Sequence, residues 1–456
     1  MAVFSVIKKS ALEGAERIDA EYYQPSYLEI ERVLKNTGLR AQLLRDLIKR
    51  PVVTGTTPKI REALGDGSDI KFIKTDSLRE GQIVFDNADV LPVKQSRKNS
   101  EPQSGDILVT IIGATYEIVG RAAKVFAEDP KMNINQNVVL VRPSDEILSG
   151  YLETFLRSKF GRHQLWQQSR QTEQVNLNCR EVELIRVPVL SKSFQQDINE
   201  LVEEAHSLLL QSEMIYSDAE KKLLQELGVK ESDFEEELSY VVDVSEVSER
   251  TDAEYFQPKY SKLVEKLRAK GSKKLGELIS IKKGIEPGAE AYQDEGKLFI
   301  RVSSLSKFGV QSVDQKYLSN ELYQKLYTDF QPQVGEILLT KDATPGIAYV
   351  VTEAVEGIIS GGILRLKLKT NIDTEYLALC LNSLVGQMQV ERDAGGSVIK
   401  HWRPDQVKNI EIPFLPKETQ QKIGDLVQKS HAARKKSKEL LEQAKHHIEE
   451  LIEKGT

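Results

Sequence analysis

Apolar and small residues fall at helical spacing over two long stretches of the chain. Between Ser193 and Leu227 they are Ile198, Val202, Ala205, Leu209, Ser212, Tyr216, Ala219, Leu223 and Leu227; near the end they are Ile423, Val427, Ser430, Ser437, Leu441, Ala444, Ile448 and Ile452. Steps of three and four held over so many turns predict two helices, each about 50 Å long at 1.5 Å rise per residue. A stripe of that length needs a partner to cover it. Elsewhere the period changes. The runs KFIKTDSL, GDILVTII and NVVLVRP precede the first long helix, and LFIRVSSL, GEILLT and GILRLKLK precede the second. Each is short, β-prone and bounded by Gly, Pro, Asn or Asp, as strands are. A short amphipathic helix is expected ahead of each strand-rich region (Tyr27 to Leu34; Tyr260 to Leu267). Each region then closes with a helical stretch (Tyr151 to Gln168; Tyr376 to Val390), a polar loop, and an extended IRVPVL or IEIPFL. The pattern predicts mixed α/β globules with a curved sheet.

The order of these elements is an internal repeat. ERIDAEYYQPSY from Glu16 recurs as ERTDAEYFQPKY from Glu249, and SGDILVT from Ser104 recurs as VGEILLT from Val334. From about Asn135 the register is constant at roughly 225 residues, the self-similarity that marks repeated units. Tyr151 matches Tyr376, Gly161 matches Gly386, Val187-Pro188 matches Ile412-Pro413, Gln195-Gln196 matches Gln420-Gln421, and His206 matches His431. One module occurs twice, with similar flanks and a diverged middle. The first long helix leads from one globule to the next, and a pseudo-twofold relation returns the second helix toward the first globule. The two are therefore expected to pack antiparallel as a coiled coil, with the N-terminal segment a cyclic continuation of the C-terminal one and the termini close together. The fold class that follows is mixed α+β: two tandem α/β domains separated by a long antiparallel two-helix coiled coil.

At 456 residues the chain has room for about three units of ordinary domain size. No run of about 18 apolar residues spans a bilayer, and MAVFSVIKKSALEGAERIDAEYY has no secretory pattern. With only Cys179 and Cys380, a reducing cytoplasm fits better than a disulfide scaffold. The net charge of −6 is unevenly spread. Residues 26–190 carry 24 basic and 21 acidic side chains, residues 262–415 carry 21 and 19, and residues 191–261 carry 6 and 18. The globules are slightly basic, so the acidic whole-chain balance does not exclude nucleic acid.

Devices for catalysis are missing from the sequence. There is no phosphate-binding G-x-x-x-x-G-K-[ST] and no G-x-G-x-x-G turn. Asp314-Gln315-Lys316 echoes a nuclease D-x-K without an acidic partner, and the six histidines have no metal-ligand spacing with Cys or Asp/Glu. What recurs instead is polar and basic loops at matching places. KRPVVTGTTPK, with Lys49, Arg50, Thr54, Gly55, Thr57 and Lys59, matches IKKGIEPG, with Lys282 and Lys283. Further candidates are Lys74, Arg97, Lys98, Thr115, Tyr116, Arg121, Asn176 and Asn178 in the first copy. In the second they are Arg301, Lys341, Thr344, Lys400, His401 and Arg403. Thr hydroxyls, amides and basic side chains on loops can meet phosphates or base edges of DNA, and an ordinary polar surface has the same composition.

GDILVT and GEILLT, NQNVVLVRP, VNLNCREVELIRVPVL, LPKETQQKI with its looser twin LSKSFQQDI, and RIDAEYYQP with RTDAEYFQP together resemble the specificity subunits of type I restriction-modification enzymes. The twin departs at Ser191 and Phe194, where the usual Pro and acidic residue are missing. The resemblance implies a segment 1–25 completing the cyclic repeat, target-recognition domains at 26–190 and 262–415, long helices at 191–228 and 416–456, and a linker at 229–261. It implies a non-catalytic, cytoplasmic DNA reader in which each domain reads half of a bipartite site and the helices set the spacer. Two adenine methyltransferase subunits would dock on it, with two motor-nuclease subunits joining for restriction. S-adenosylmethionine, ATP and Mg2+ would belong to those partners, and no metal to this chain. The specificity subunit of a two-component methylating endonuclease would share the layout, and a coiled-coil adaptor with protein-binding heads is the reading from another class.

Overall fold

Both apolar stripes lie on helices, Lys192–Leu227 and Lys417–Lys454, and every stripe residue named above is buried. The computed structural model describes residues 4–10, 12, 17–58, 69–79, 81–170, 175–247, 250–311, 315–395 and 400–454. Its two compact units divide inside the helices: Met1–Leu208 with Lys436–Thr456, and Leu209–Lys435. Each unit thus holds one part of each long helix. In the first, Val202 and Ala205 share an apolar cluster with Leu440 and Leu441, and Ser437 Oγ donates to the Ala205 carbonyl at 2.6 Å. In the second, Ser430 Oγ donates to the Ser212 carbonyl at 2.8 Å. Serine at these positions lets the backbones come within hydrogen-bond reach and satisfies each buried hydroxyl.

Where one curved sheet is expected, each unit builds two larger ones, of four and of three strands, beside two-stranded ladders among the described residues. In the first unit Val53–Thr54, Val138–Val141, Ile107–Thr110 and Ala122–Lys124 form an antiparallel sheet in that order; Met132–Ile134, Asp69–Ile73 and Asp89–Pro92 form a second sheet. The second unit repeats both orders, with Ile279–Lys283, Ile363–Leu368, Ile337–Thr340 and Ala348–Val350 in one sheet and Gly357–Ile359, Lys297–Ile300 and Lys316–Leu318 in the other. The reason for two layers lies in the strand runs. ILVT, VVLV and ILLT are buried on both faces, so alternate residues need two cores. Ile107, Val109, Val139 and Val141 face the helices, while Leu108, Val138 and Leu140 face the smaller sheet. Ile337, Leu339, Leu364 and Leu366 are divided from Leu338 and Ile363 in the same way.

The closing helical stretch is also two pieces, Ser149–Arg157 and Lys159–Gln168, or Thr374–Asn382 and Leu384–Asp393. The break is set by glycine. A Cβ on Gly161 or Gly386 would lie 2.3 Å from the carbonyl of Phe155 or Leu381, so the second helix can close on the end of the first only without a side chain. Buried polar groups then fix the extended segment. Tyr151 and Tyr376 donate to Pro188 and Pro413 at 2.7 and 2.8 Å, and Gln195 and Gln420 donate to Leu190 and Leu415 at 2.9 and 2.8 Å. One helix the sequence pattern does not announce, Asn320–Phe330, is capped by Ser319 Oγ accepting from Leu322 N. Among the described residues no helix is long and apolar enough to cross a membrane.

Candidate nucleic-acid interface

In each unit a tight turn at the start of a central strand gathers three further segments. The turn is Asn135–Asn137 in the first unit and Ser360–Gly362 in the second. The edge strand ends against it: Gly55 N donates to Asn135 O and Thr56 N to Ile134 O, as Gly284 N donates to Ile363 O and Ile285 N to Ile359 O. A Cβ at Gly55 would stand 1.8 Å from the Ile134 carbonyl, and one at Gly284 2.1 Å from the Ser360 carbonyl, so the approach needs glycine. The loop after the next strand is tied in by Ile111 N to Asn137 O and Lys341 N to Gly362 O, both 2.9 Å. The closing hairpin follows, through Leu177 N to Ile111 O at 2.9 Å and Trp402 N to Lys341 O at 2.8 Å. All of these bonds are main-chain to main-chain, so apart from the two glycines the edge is held whatever its side chains are.

Several of the candidate residues meet there. In the second unit a two-residue ladder sets His401 opposite Asp342 and Lys400 opposite Ala343. His401 Nδ1 lies 2.8 Å from Asp342 Oδ1, and Lys341 pairs with the other carboxylate oxygen. Burial opposes the Asp342 charge, but hydrogen bonds from Lys341 and His401 outweigh it and hold the carboxyl below its ordinary range. Thr344 N donates to Asp342 O at 2.7 Å across Ala343, whose φ of 59° is the single left-handed value at a non-glycine among the described residues. Such a conformation costs on the order of 1 kcal/mol or more. Arg301 follows the strand bonded to this turn, and Ser360 N donates to the Ile300 carbonyl. Lys282 and Lys283 are exposed at the edge-strand end, opposite Arg365 and Leu364, so strand alternation points them to opposite faces.

The first unit assembles Thr54, Thr57, Lys74, Thr115 and Asn176 at the equivalent places. Asn176 stands opposite Ile112 on the ladder, Thr57 Oγ1 meets Gln136 Oε1 at 3.1 Å, and Lys74 pairs with Asp89 at 2.9 Å. Asn178 and Arg403 cap short helices, with Asn178 Oδ1 accepting from Glu181 N and Arg403 N donating to Gln406 Oε1. Gly55 is buried and serves the backbone approach.

Other candidates lie apart. KRPVVTGTTPK is not one loop: from Ile48, opposite Pro143, to Thr54, opposite Val139, it runs along the central strand. Lys49 and Arg50 are therefore at the far end from Thr54, with Lys49 bonded to Arg142 and Thr54 facing Val139, about 10 Å along the central strand at 3.3 Å per residue. Lys49 pairs with Asp145 at 2.7 Å, and Arg50, its proton affinity lowered by burial and by Arg142, lies beside the Asp106–Arg142 pair. Tyr116 is packed on Trp166 and His163 with Arg162 over its ring, and Arg121 donates to the Glu117 and Leu78 carbonyls. Arg97 and Lys98 are exposed beside Asn133, whose amide donates to the Arg97 carbonyl. Lys59 falls outside the described residues.

Sequence reasoning missed two contributors. Asp342 is one; its signal was the acid between Lys341 and Thr344. The other is the arginine of ERIDAEY and ERTDAEY. Arg17 is held by Asp19 at 2.8 Å and donates to the Gln168 and Ser169 carbonyls; Arg250 is held by Asp252 at 2.8 Å and donates to the Arg392 and Asp393 carbonyls. Each arginine thereby grips the base of its unit's closing hairpin. Among the described residues no three His, Cys, Asp or Glu stand where they could hold a metal ion.

Among solved structures the chain is similar to the type I restriction-modification S subunit from M. genitalium, at 15% identity over 92% of this chain and 96% of that one, with a TM-score of 0.40. It is also similar to the HsdS subunit from Thermoanaerobacter tengcongensis, at 15% identity over 92% and 97%, with a TM-score of 0.30. None of the curated proteins matches. The family model for the type I restriction modification DNA specificity domain matches residues 270–445. Over those residues, which build the Asp342–His401 edge, the chain is similar to the type I restriction modification DNA specificity domain.

Proposed function

We propose that the chain is the DNA-specificity subunit of a type I restriction-modification complex in which each unit reads one half of a bipartite site. The observation that carries this reading is the repetition of the edge. The main-chain bonds made inside the matched domain by Ile285, Lys341 and Trp402 are made again, outside it, by Thr56, Ile111 and Leu177. Two similar scaffolds with different exposed side chains are what a split, asymmetric target requires, because phosphate contacts position a protein and base contacts specify the site. In this reading the modules are related by a pseudo-twofold repeat, and the long helices pair as an antiparallel coiled coil that sets the spacer and docks two adenine methyltransferase subunits. Two motor-nuclease subunits join for cleavage. S-adenosylmethionine, ATP and Mg2+ are held by those partners, and this chain supplies recognition without catalysis, in the cytoplasm.

The test is an exchange. Replacing residues 26–190 with the equivalent region of another specificity subunit, in complex with the methyltransferase, should change one half of the methylated site and leave the other half and the spacer as they were. Sequencing of methylated adenines reads the outcome. A change in both halves together, or methylation of a continuous site by the unaltered complex, overturns the two-reader arrangement.

A further inference from the structure

We infer that His401, oriented by Asp342, selects an amino-bearing base in the half-site read by the second unit; the inference rests on the proposed reading of this edge as a DNA-contacting surface. Its backbone is fixed on both sides. His401 N donates to Gly395 O at 2.7 Å and Gly395 N to His401 O at 3.2 Å, while the other side pairs with Asp342. The next residue, Trp402, is 1% exposed and anchors the segment in the core. The side chain does the opposite: it is 64% exposed. The ring is nevertheless not free to turn, because Nδ1 is engaged by Asp342 Oδ1 at 2.8 Å. In the neutral imidazole a carboxylate on Nδ1 selects the tautomer with the proton there, and this leaves Nε2, on the side of the ring away from Asp342, as an acceptor. Its partner in the major groove would be the exocyclic amino group of adenine or cytosine, the two donors that base pairs present there.

Two further observations separate this residue from an ordinary surface histidine. The strained Ala343 lies between Asp342 and Thr344, on an exposed turn. Strain on an exposed turn is not explained by core packing, and it fixes the direction in which the Asp342 carboxylate is presented. The same ladder in the first unit pairs Ile112 with Asn176, so the scaffold repeats while the acid-imidazole pair does not. Selectivity is expected where the frame is constant and the chemistry changes.

The experiment is a selection from a library of randomised DNA duplexes by the full chain, comparing the unaltered protein with His401→Ala and Asp342→Ala. Thermal unfolding is measured alongside. His401→Ala should fold normally and lose at least tenfold preference for adenine or cytosine at one position of one half-site, with every other position unchanged. Asp342→Ala should relax the same position less. Weaker binding to all sequences equally, or an unchanged preferred sequence, overturns the assignment and makes His401 a phosphate contact or a bystander. No preferred sequence for the unaltered chain would overturn the DNA-reading function itself, and with it this inference.

Discussion

Across the edge ladder of the first unit Ile112 faces Asn176; across the same ladder of the second, Asp342 faces His401. One pair is apolar and amide, the other is a carboxylate hydrogen-bonded to an imidazole, and the main-chain bonds beneath them are alike. The difference runs deeper than the edge. Asp106 accepts from Gln103 N and pairs with Arg142, while Glu336 accepts from Gln333 N and pairs with Arg365. Arg142 and Arg365 do not match in the repeat: Arg365 sits opposite Leu338 as Leu140 sits opposite Leu108, so the arginine has moved to a position that is leucine in the first unit. The carboxylate at the turn is retained, and its cation arrives from a different strand position. Backbone geometry and buried charge balance are thus kept in both units, while the residues that supply them are exchangeable.

The largest effect should come from breaking this relocated pair. Arg365→Leu makes the second unit resemble the first at that position but leaves Glu336 nearly buried without its cation, a loss of about 3–5 kcal/mol. Adding Glu336→Gln should recover much of it. Urea unfolding of the two variants decides the matter, and a neutral Arg365→Leu would mean that the pair does not support the unit.

A second comparison concerns the matching histidines. His206 stacks on Phe126 with ring centres 3.5 Å apart, whereas His431 lies 3.8 Å from Glu375, which stands where the first unit has Gly150. Burial and the neighbouring Asp373 push the Glu375 carboxyl up to about 7, and burial with Arg434 and Lys307 pushes His431 down to about 4. Because the folded state favours protonated Glu375, its contribution is intact below the ordinary carboxylate pKa and is lost as pH rises through 7. Glu375→Gln should therefore stabilise the protein at pH 8 by on the order of 2–3 kcal/mol and have no effect near pH 4. His431 has the opposite sense, since its favoured neutral form is lost as pH falls from 6.5 toward 4. Melting temperatures of the variant and parent across pH 4 to 8 measure both slopes, and a constant difference would refute the assignment.

The smallest effect belongs to the ladder turn. Ala343→Gly removes the left-handed strain but adds chain entropy, so stability should change by less than about 1 kcal/mol. The reciprocal Gly113→Ala should cost more, because its Cβ would meet Ile118 at 2.4 Å. Equal effects in calorimetry would mean that the two turns are interchangeable after all.

The long helices and the repeat were legible because their signals are periodic and repeated. A stripe spanning nine positions or a match at constant register does not depend on knowing which strand pairs with which. The two-layer sheet was not legible: ILVT and VVLV announce burial but not that their two faces meet different cores. Nor was the site more than partly readable. KRPVVTGTTPK has the composition of a loop, and only its pairing with residues 139–143 reveals a segment laid along the central strand that carries Lys49 and Arg50 away from Thr54. The grip of Arg17 and Arg250 escaped for the same reason, since the carbonyls they reach lie about 150 and 142 residues along the chain.

Those two arginines hold their hairpins by main-chain oxygens, which every amino acid possesses. A domain inserted between the Arg17 segment and the first long helix therefore needs no matching side chain to be gripped by that arginine at its base. Under the proposed function the arginine grip is itself indifferent to the sequence it holds, so a foreign reader exchanged into either half would meet the same two donors at its base.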